Sequence, residues 1–316
     1  MHRVRTAVIG VGYLGRFHAL KYAALPQSQL VAVVDSDAAA RERVAGELGC
    51  RAVNGHEEIL GEVDAVSIAT PTASHHPIAR DCLERGVHVL VEKPVTETPE
   101  QARELIGVAE RAGRILQVGH LERFNPVVRA LEGTLGTPRF IESHRLAPFR
   151  ERGTDVNVVL DLMIHDIDLI QSIVRSEIVS IDAVGASVFS PGLDIANARI
   201  RYASGCVANT TASRVSMKTE RKLRMFQDDA YVSIDLQQKV LTLVRKPPAG
   251  SGATPGHVSI EERTYEQGDA LQQEIEAFLD SIREGRPPVV SGADGLRALE
   301  TALAITELVH SGARQQ

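Results

Sequence analysis

The most constraining feature of the chain is a glycine turn close to its start. Arg5–Ile9 reads as an apolar strand, Gly10-Val11-Gly12-Tyr13-Leu14-Gly15 follows directly, and a helix-like stretch continues to about Ala24. Each glycine answers a separate need. Gly10 permits a tight turn, Gly12 lets backbone approach a pyrophosphate, and Gly15 lets helix and strand pack closely. The helix N-terminus, with Tyr13 and Leu14, then offers unpaired N–H groups and the positive end of its dipole to an anion. A lone Gly-x-Gly-x-x-Gly is weak evidence. Here Asp35 ends the next strand roughly 20 residues further on, where an acid can bond a ribose 2′-OH. An acid at that point repels a 2′-phosphate, and Ser36 and Asp37 follow it rather than an arginine, so NAD is expected over NADP. A glycine turn in some other α/β protein is the competing reading.

The pattern around the turn supports a doubly wound domain. Leu30–Val34, Ala65–Ala69, His88–Val91 and Ile115–Val118 are further apolar runs of strand length. Helix-like stretches at Asp37–Leu48, Ser74–Glu84 and Thr98–Ala112 separate them. Strands that are apolar throughout and alternate with helices indicate a parallel sheet covered on both faces. With 316 residues the chain exceeds one ordinary core, so two domains are expected, residues 1–121 and 122–316. In the second, helix-like Asn125–Leu135 and Val158–Val174 flank a strand at Arg139–His144. Strands then follow at Val179–Val188, Asn197–Tyr202, Cys206–Ser213, Leu223–Gln227, Tyr231–Asp235 and Val240–Val244. Ser204-Gly205 and Asp228-Asp229 read as turns. This half is expected to be an open, mostly antiparallel sheet with helices on one face. Pro247–Gly256 reads as an exposed loop. Helices near Ala270–Glu284 and Asp294–His310 close the chain, and they could pack back on the first domain.

Composition narrows the function classes. A net charge of −6 gives no nucleic-acid surface. The three cysteines, Cys50, Cys82 and Cys206, form no C-x-x-C pair, and an odd count argues against a disulfide framework. No apolar run approaches the ~20 residues that cross a bilayer. Met1-His2-Arg3-Val4-Arg5 carries no export signal. A cytoplasmic protein without membrane insertion is expected.

Two further segments carry possible chemistry. Ala69-Thr70-Pro71-Thr72-Ala73-Ser74-His75-His76 and Val91-Glu92-Lys93-Pro94 follow later strands, at the end where a doubly wound sheet presents ligands. Lys93 could hydrogen-bond a reacting hydroxyl; a surface lysine before a turn proline is the alternative. Later, Asp161 and His165 stand four apart on one helix face, with Asp168 a turn on. A carboxylate beside an imidazole fixes its tautomer and raises its basicity, which suits a proton acceptor in alcohol oxidation. A polar solvent face is the alternative there. An Asp/His/Asp metal site is also conceivable, but no metal is expected, because nicotinamide chemistry needs none.

Together these segments resemble the Gfo/Idh/MocA family of oxidoreductases across nearly the whole chain. The resemblance rests on the glycine turn, Thr70-Pro71-x-x-x-His75, Glu92-Lys93-Pro94, Gly119-His120-x-x-Arg123-Phe124-x-Pro126 and Asp161-x-x-x-His165-x-x-Asp168. It implies a Rossmann domain followed by an α/β domain with an open antiparallel sheet that commonly forms dimers or tetramers. It implies Lys93, Asp161 and His165 as catalytic and substrate-binding residues. It places Thr70, Pro71, His75, Glu92 and Lys93 at the cofactor cleft, with Arg123 on the substrate side. The stretch from Asp155 to Asp168 looks like the nucleotide-sugar members. That implies oxidation of C3–OH of UDP-N-acetylglucosamine to a 3-keto sugar, which a partner aminotransferase would carry toward lipid A. Arg123, Arg145, Arg150 and Arg152 are then candidates for the diphosphate. A free polyol or hexose dehydrogenase of the inositol type, or a non-catalytic NAD-binding regulator, are the competing functions.

Overall fold

The structure, a computed structural model, describes residues 3–131, 136–149, 156–247, 258–266 and 268–313. In chain order the strands are β1 (Val4–Ile9), β2 (Ser28–Val34), β3 (Arg51–Val53), β4 (Ala65–Ile68), β5 (His88–Glu92), β6 (Leu116–Gly119), β7 (Phe140–Leu146), β8 (Ile178–Ala186), β9 (Ile195–Tyr202), β10 (Val207–Ser213), β11 (Glu220–Phe226), β12 (Ala230–Asp235), β13 (Val240–Arg245) and β14 (Ser259–Thr264). The helices are α1 (Tyr13–Ala24), α2 (Ala38–Leu48), α3 (His75–Glu84), α4 (Pro99–Ala112), α5 (Pro126–Arg129), α6 (Ile164–Val174), α7 (Ala270–Glu284) and α8 (Gly292–Ala313). The chain divides into two compact units. One comprises Met1–Leu121 with Asp269–Leu299, the other Glu122–Gly268 with Glu300–Gln316.

The first unit is built on a six-stranded sheet of order β3-β2-β1-β4-β5-β6, every pairing parallel. This is the doubly wound order whose ligand crevice lies at the carboxyl ends of the strands. Every residue of β4 and β6 is buried, as strands covered on both faces must be. Val8, Val33, Ala65 and Leu90 from the sheet pack with Ala19 and Tyr22 of α1 and with Ile275, Phe278 and Leu279 of α7. The helices carry their own stop and start signals. Thr98 and Gln101 form a reciprocal cap with Pro99 at the first helical position, and Gly113 ends α4 in the left-handed region. β3 escapes the sequence pattern because three residues are too few to show a period.

The second unit holds an eight-stranded sheet of order β14-β13-β12-β11-β7-β10-β9-β8. Only β7 and β10 pair in parallel; the other pairings are antiparallel. β7, β9 and β10 alternate buried and half-buried residues, the mark of a sheet with one covered face, and α6 packs against β7 and β10. β14 was invisible to patterning because its Ser-Ile-Glu-Glu-Arg-Thr is exposed at every position.

Two expected helices differ. Among the described residues of the run expected over Asn125–Leu135, the α-helix covers Pro126–Arg129, after which Leu131 N turns back to Val128 O at 3.0 Å, a tighter closure than an α-helix makes. Residues 132–135, and 248–257 within and beyond the expected Pro247–Gly256 loop, lie outside the described residues. The run expected as one α-helix from Val158 begins instead with a π turn over Val159–Met163 before α6. Asn157 caps that turn, its Oδ1 accepting from Val159 N and Leu160 N, both at 3.0 Å.

Candidate active site

The glycine turn is shaped by steric demand. Gly10 has φ 83°, and its N–H donates to Val34 O at 2.8 Å. A Cβ on Gly10 would lie 2.8 Å from Ala69 backbone, and one on Gly15 only 1.7 Å from Gly10 O. Gly12 is different: a Cβ there meets nothing within 4 Å. Gly12 is also the N-cap of α1, with no side-chain cap and no acidic residue in the first turn, while Tyr13 and Leu14 are exposed. Open space beside uncapped helical N–H groups fits a dinucleotide's pyrophosphate.

Asp35, the residue that follows β2, holds this turn together. Its Oδ2 accepts from Val11 N at 2.8 Å, and its Oδ1 from Asp37 N at 2.9 Å. Asp37 in turn caps α2 through Ala39 N at 2.9 Å. Arg41 braces the same corner, donating to Asp35 O, Ser36 O and Asn54 Oδ1. Sequence reasoning passed over Arg41; its place one turn into α2, behind an expected ribose-binding acid, was the available signal.

The Thr70 and Lys93 segments are joined by a buried histidine. Pro71 leads into a short 3-10 turn, Thr72–Ser74, and then α3. His75, 1% exposed, lies with Nε2 2.9 Å from Thr70 O and Nδ1 2.9 Å from Pro94 O. Burial pulls its pKa below the ordinary histidine value. A neutral imidazole carries one N–H, so it donates to only one of these two carbonyls. His75 thus ties the Thr70-Pro71 loop to the cis Lys93–Pro94 peptide.

Behind Lys93 lies a polar cluster that the sequence reading did not identify. Glu92 Oε1 lies 3.1 Å from His18 Nε2. His18 Nδ1 lies 3.2 Å from Ser67 Oγ, which also meets Tyr22 OH at 2.8 Å. Glu274 of α7 completes the cluster, fully buried among Ile275, Phe278 and Leu279. A Cβ on Gly119 would sit 2.9 Å from the Glu92 carboxylate, so a larger residue there would make that carboxylate shift. Burial opposes ionisation of Glu92, but His18 and Lys93 outweigh it and hold its pKa below the usual carboxylate range. A charged residue at a core-facing position of an amphipathic helix was the signal for Glu274.

In the second unit, Asp161 stands within the π turn and His165 in the first turn of α6. A π turn inside a helix re-aims the side chains around it, a device frequent at functional sites. Asp168 is buried and takes Arg123 in a two-pronged pair, Nε to Oδ2 at 2.7 Å and Nη2 to Oδ1 at 3.1 Å. Arg145, a candidate for a substrate diphosphate, is corrected by the structure. It lies inside the unit, its side chain 4% exposed, with Nε and Nη2 on Asp166 Oδ1 (3.1 and 2.7 Å) and Nη1 on Glu122 Oε1 (2.9 Å). The even spacing of β7 puts Arg145 on the covered face with Ile141 and Ser143. Arg150 and Arg152, the other diphosphate candidates, and Asp155 lie outside the described residues.

Comparison with known proteins gives consistent matches. Residues 4–120 match the family described as "Oxidoreductase family, NAD-binding Rossmann fold", and residues 128–232 match the "GFO/IDH/MocA C-terminal domain". The chain is 41% identical to UDP-N-acetylglucosamine 3-dehydrogenase of Acidithiobacillus ferrooxidans, over 98% of this chain and 99% of that protein. A solved structure of that enzyme superposes with a TM-score of 0.92. Scyllo-inositol 2-dehydrogenase (NAD(+)) of Bacillus subtilis is 28% identical over 98% of this chain and 95% of its own length. The fold is shared with scyllo-inositol dehydrogenase of Lactobacillus casei, solved with NAD(H) and scyllo-inositol, at TM-score 0.81 and 22% identity over 98% of each chain.

Proposed function

Because this chain belongs to the Gfo/Idh/MocA oxidoreductase family, we propose that it oxidises the C3 hydroxyl of UDP-N-acetylglucosamine to the 3-keto nucleotide sugar, with NAD as cofactor. The observation that carries this reading is the 41% identity sustained over 98% of the chain with an enzyme of that name. The inositol dehydrogenase of Bacillus subtilis stands further off at 28%.

In this reading NAD, when bound, supplies the hydride acceptor. The glycine turn and the first N–H groups of α1 take its pyrophosphate, and Asp35 takes its ribose hydroxyls. Thr70, Pro71, His75 and Glu92 shape the cofactor side. Lys93 hydrogen-bonds the substrate's reacting oxygen and stabilises its developing negative charge. His165, its tautomer set by Asp161, accepts the hydroxyl proton. The carbon gives up a hydride, the oxygen gives up a proton, and the C–O bond becomes a carbonyl. Arg123, fixed by Asp168, serves the charged end of the substrate.

We propose further that the 3-ketone passes to an aminotransferase on the route to lipid A, and that the protein works in the cytoplasm as a homodimer or homotetramer. Supporting the location, Cys50, Cys82 and Cys206 are all free thiols, and no helix among the described residues is long and apolar enough to cross a membrane.

Initial rates of NADH formation with UDP-N-acetylglucosamine and with myo-inositol test the reading, with a ketone trap in both assays. A kcat/KM on the order of 100-fold higher for the nucleotide sugar is expected, about 2.7 kcal/mol of recognition from the nucleotide. Equal or better turnover of the free polyol refutes the substrate. Equal use of NADP refutes the role given to Asp35.

A further inference from the structure

Glu274 is an anomaly in its helix. α7 buries Glu274, Ile275, Phe278 and Leu279 against the first unit's core, and a leucine would satisfy that packing. The acid instead lies with a carboxylate oxygen within 4.8 Å of one oxygen of Glu92 and one ring nitrogen of His18. Among the described residues neither Glu274 oxygen has a hydrogen-bond partner. The groups that face the cluster are few. His18 and Tyr22 come from α1, Ser67 from β4, Glu92 and then Lys93 from β5. Gln117 of β6 donates its Nε2 to Glu274 O at 3.2 Å.

Two carboxylates within 4.8 Å of each other in a buried site favour one shared proton over two charges, because each raises the cost of the other's charge. The asymmetry of partners decides which keeps the proton. Glu92 has the His18 imidazole at 3.1 Å and the Lys93 ammonium as its neighbour in sequence, so it is the ionised member. Glu274 has no donor and no cation among the described residues. Burial, reinforced by the Glu92 charge, pushes its pKa far above the carboxylate range.

We propose that Glu274 is a positioning residue for Lys93. It holds the proton of the pair, it offers that proton to Glu92 through one bridging water, and it confines the cluster to a single negative charge beside the Lys93 ammonium. This rests on the reading that Lys93 acts on the substrate oxygen. The proton-sharing pair itself does not depend on any substrate.

Two measurements on the full-length protein separate those layers. The first is infrared spectroscopy at neutral pH of protein labelled with carboxyl-13C glutamate. Wild type is expected to show the label-shifted carbonyl stretch of one protonated acid, absent in Glu274→Gln. No such band in wild type overturns the proposal without use of any variant or substrate. The second is the pH profile of kcat. Glu274→Leu, which removes the hydrogen bond offered to Glu92, is expected to move the alkaline limb, and Glu274→Gln, whose amide can donate in the same place, to restore it; an unmoved limb in Glu274→Leu removes Glu274 from the positioning of Lys93. Glu92→Gln, which removes the single charge, should move the alkaline limb down by about one pH unit, a tenfold shift in the apparent ionisation constant. An unmoved limb in Glu92→Gln overturns the link to Lys93 and leaves the infrared result to judge the acid pair. Stoichiometric Zn²⁺ uptake by wild type in calorimetry, lost in Glu274→Gln, overturns the proposal in favour of a cation held by the same three residues.

Discussion

Replacing Arg145 with methionine tests whether this arginine is structural or substrate-binding. The side chain is 4% exposed and spends Nε, Nη1 and Nη2 on Asp166 and Glu122. Those two acids are nearly as buried, at 3% and 11% side-chain exposure. Methionine fills most of the volume but leaves both carboxyl groups without their cation. Removing one partner of a buried ion pair typically costs about 3–5 kcal/mol, a large part of a domain's total. The loss has a definite pH sign. In wild type, Arg145 outweighs burial at Glu122 and holds its pKa low, whereas burial of Asp166 pushes its pKa up despite Arg145. Without Arg145 both folded-state values stand above their unfolded ones. Stability is then fully present below the unfolded carboxylate values near pH 4, and is lost as pH rises through the folded ones. The slope is about 1.4 kcal/mol per pH unit for each proton retained. The variant is therefore expected to fall furthest below wild type at pH 8 and to recover toward pH 5. Urea denaturation followed by circular dichroism measures this; the chain contains no tryptophan to report by fluorescence. A cost below about 1 kcal/mol at pH 8, or one that ignores pH, refutes the argument. Arg145→Met with Glu122→Met and Asp166→Leu, which removes all three charges, should regain most of the stability. The variant's folded fraction should keep its KM for the nucleotide sugar; a KM raised tenfold would return Arg145 to the substrate.

Other substitutions probe the remaining features. Gly12→Ala should fold with near wild-type stability, because its Cβ meets nothing, yet lose at least tenfold in NAD affinity by fluorescence titration of NADH; Gly15→Ala, whose Cβ would strike Gly10 O, should lower thermal stability even without cofactor. Lys93→Ala and His165→Ala should each lower kcat by 10²–10⁴-fold, the range for a positioned acid or base, with NAD still bound in calorimetry; full turnover in either would remove that residue from the mechanism. Burial lowers the pKa of His75, and that of His88 to about 4, so both resist protonation in the folded state. Stability they contribute is present above the ordinary histidine value near 6.5 and is lost as pH falls below it, so urea midpoints should drop from pH 7 to pH 5, and His88→Gln should flatten part of that fall.

Much of the fold was legible because its elements obey local rules. Strands such as Ala65–Ile68 are buried on both faces and read as unbroken apolar runs. Strands such as β7 alternate because one face is covered. Where neither condition holds the pattern vanishes. β14 has no buried residue and so no period to detect, and β3 is too short to have one. The π turn at Val159–Met163 was hidden for another reason. Its residues have the composition of an α-helix, and its path is set by the Asn157 cap and by packing of Val159 and Met163. A helical wheel cannot show that shift.

The site follows the same division between local and tertiary causes. Gly10, Gly12 and Gly15 were readable because the turn is made within a few residues of sequence and their spacing is their geometry, while Asp35, distant in sequence, was found from its place after the next strand. Arg145 was misassigned because a charged residue in a strand looks the same in sequence whether it faces solvent or two buried acids. Only register decides, and one step along β7 separates half-buried His144 from buried Arg145. Glu274 inverts that error. Its helix periodicity places it inward, and read strictly the pattern states that a buried acid must have a reason to be there. The reason is supplied by residues 18 and 92, which no window around residue 274 contains. Buried charge at a position of apolar periodicity is therefore worth treating as a site signal in its own right, and in this chain it points to the residue that precedes Lys93.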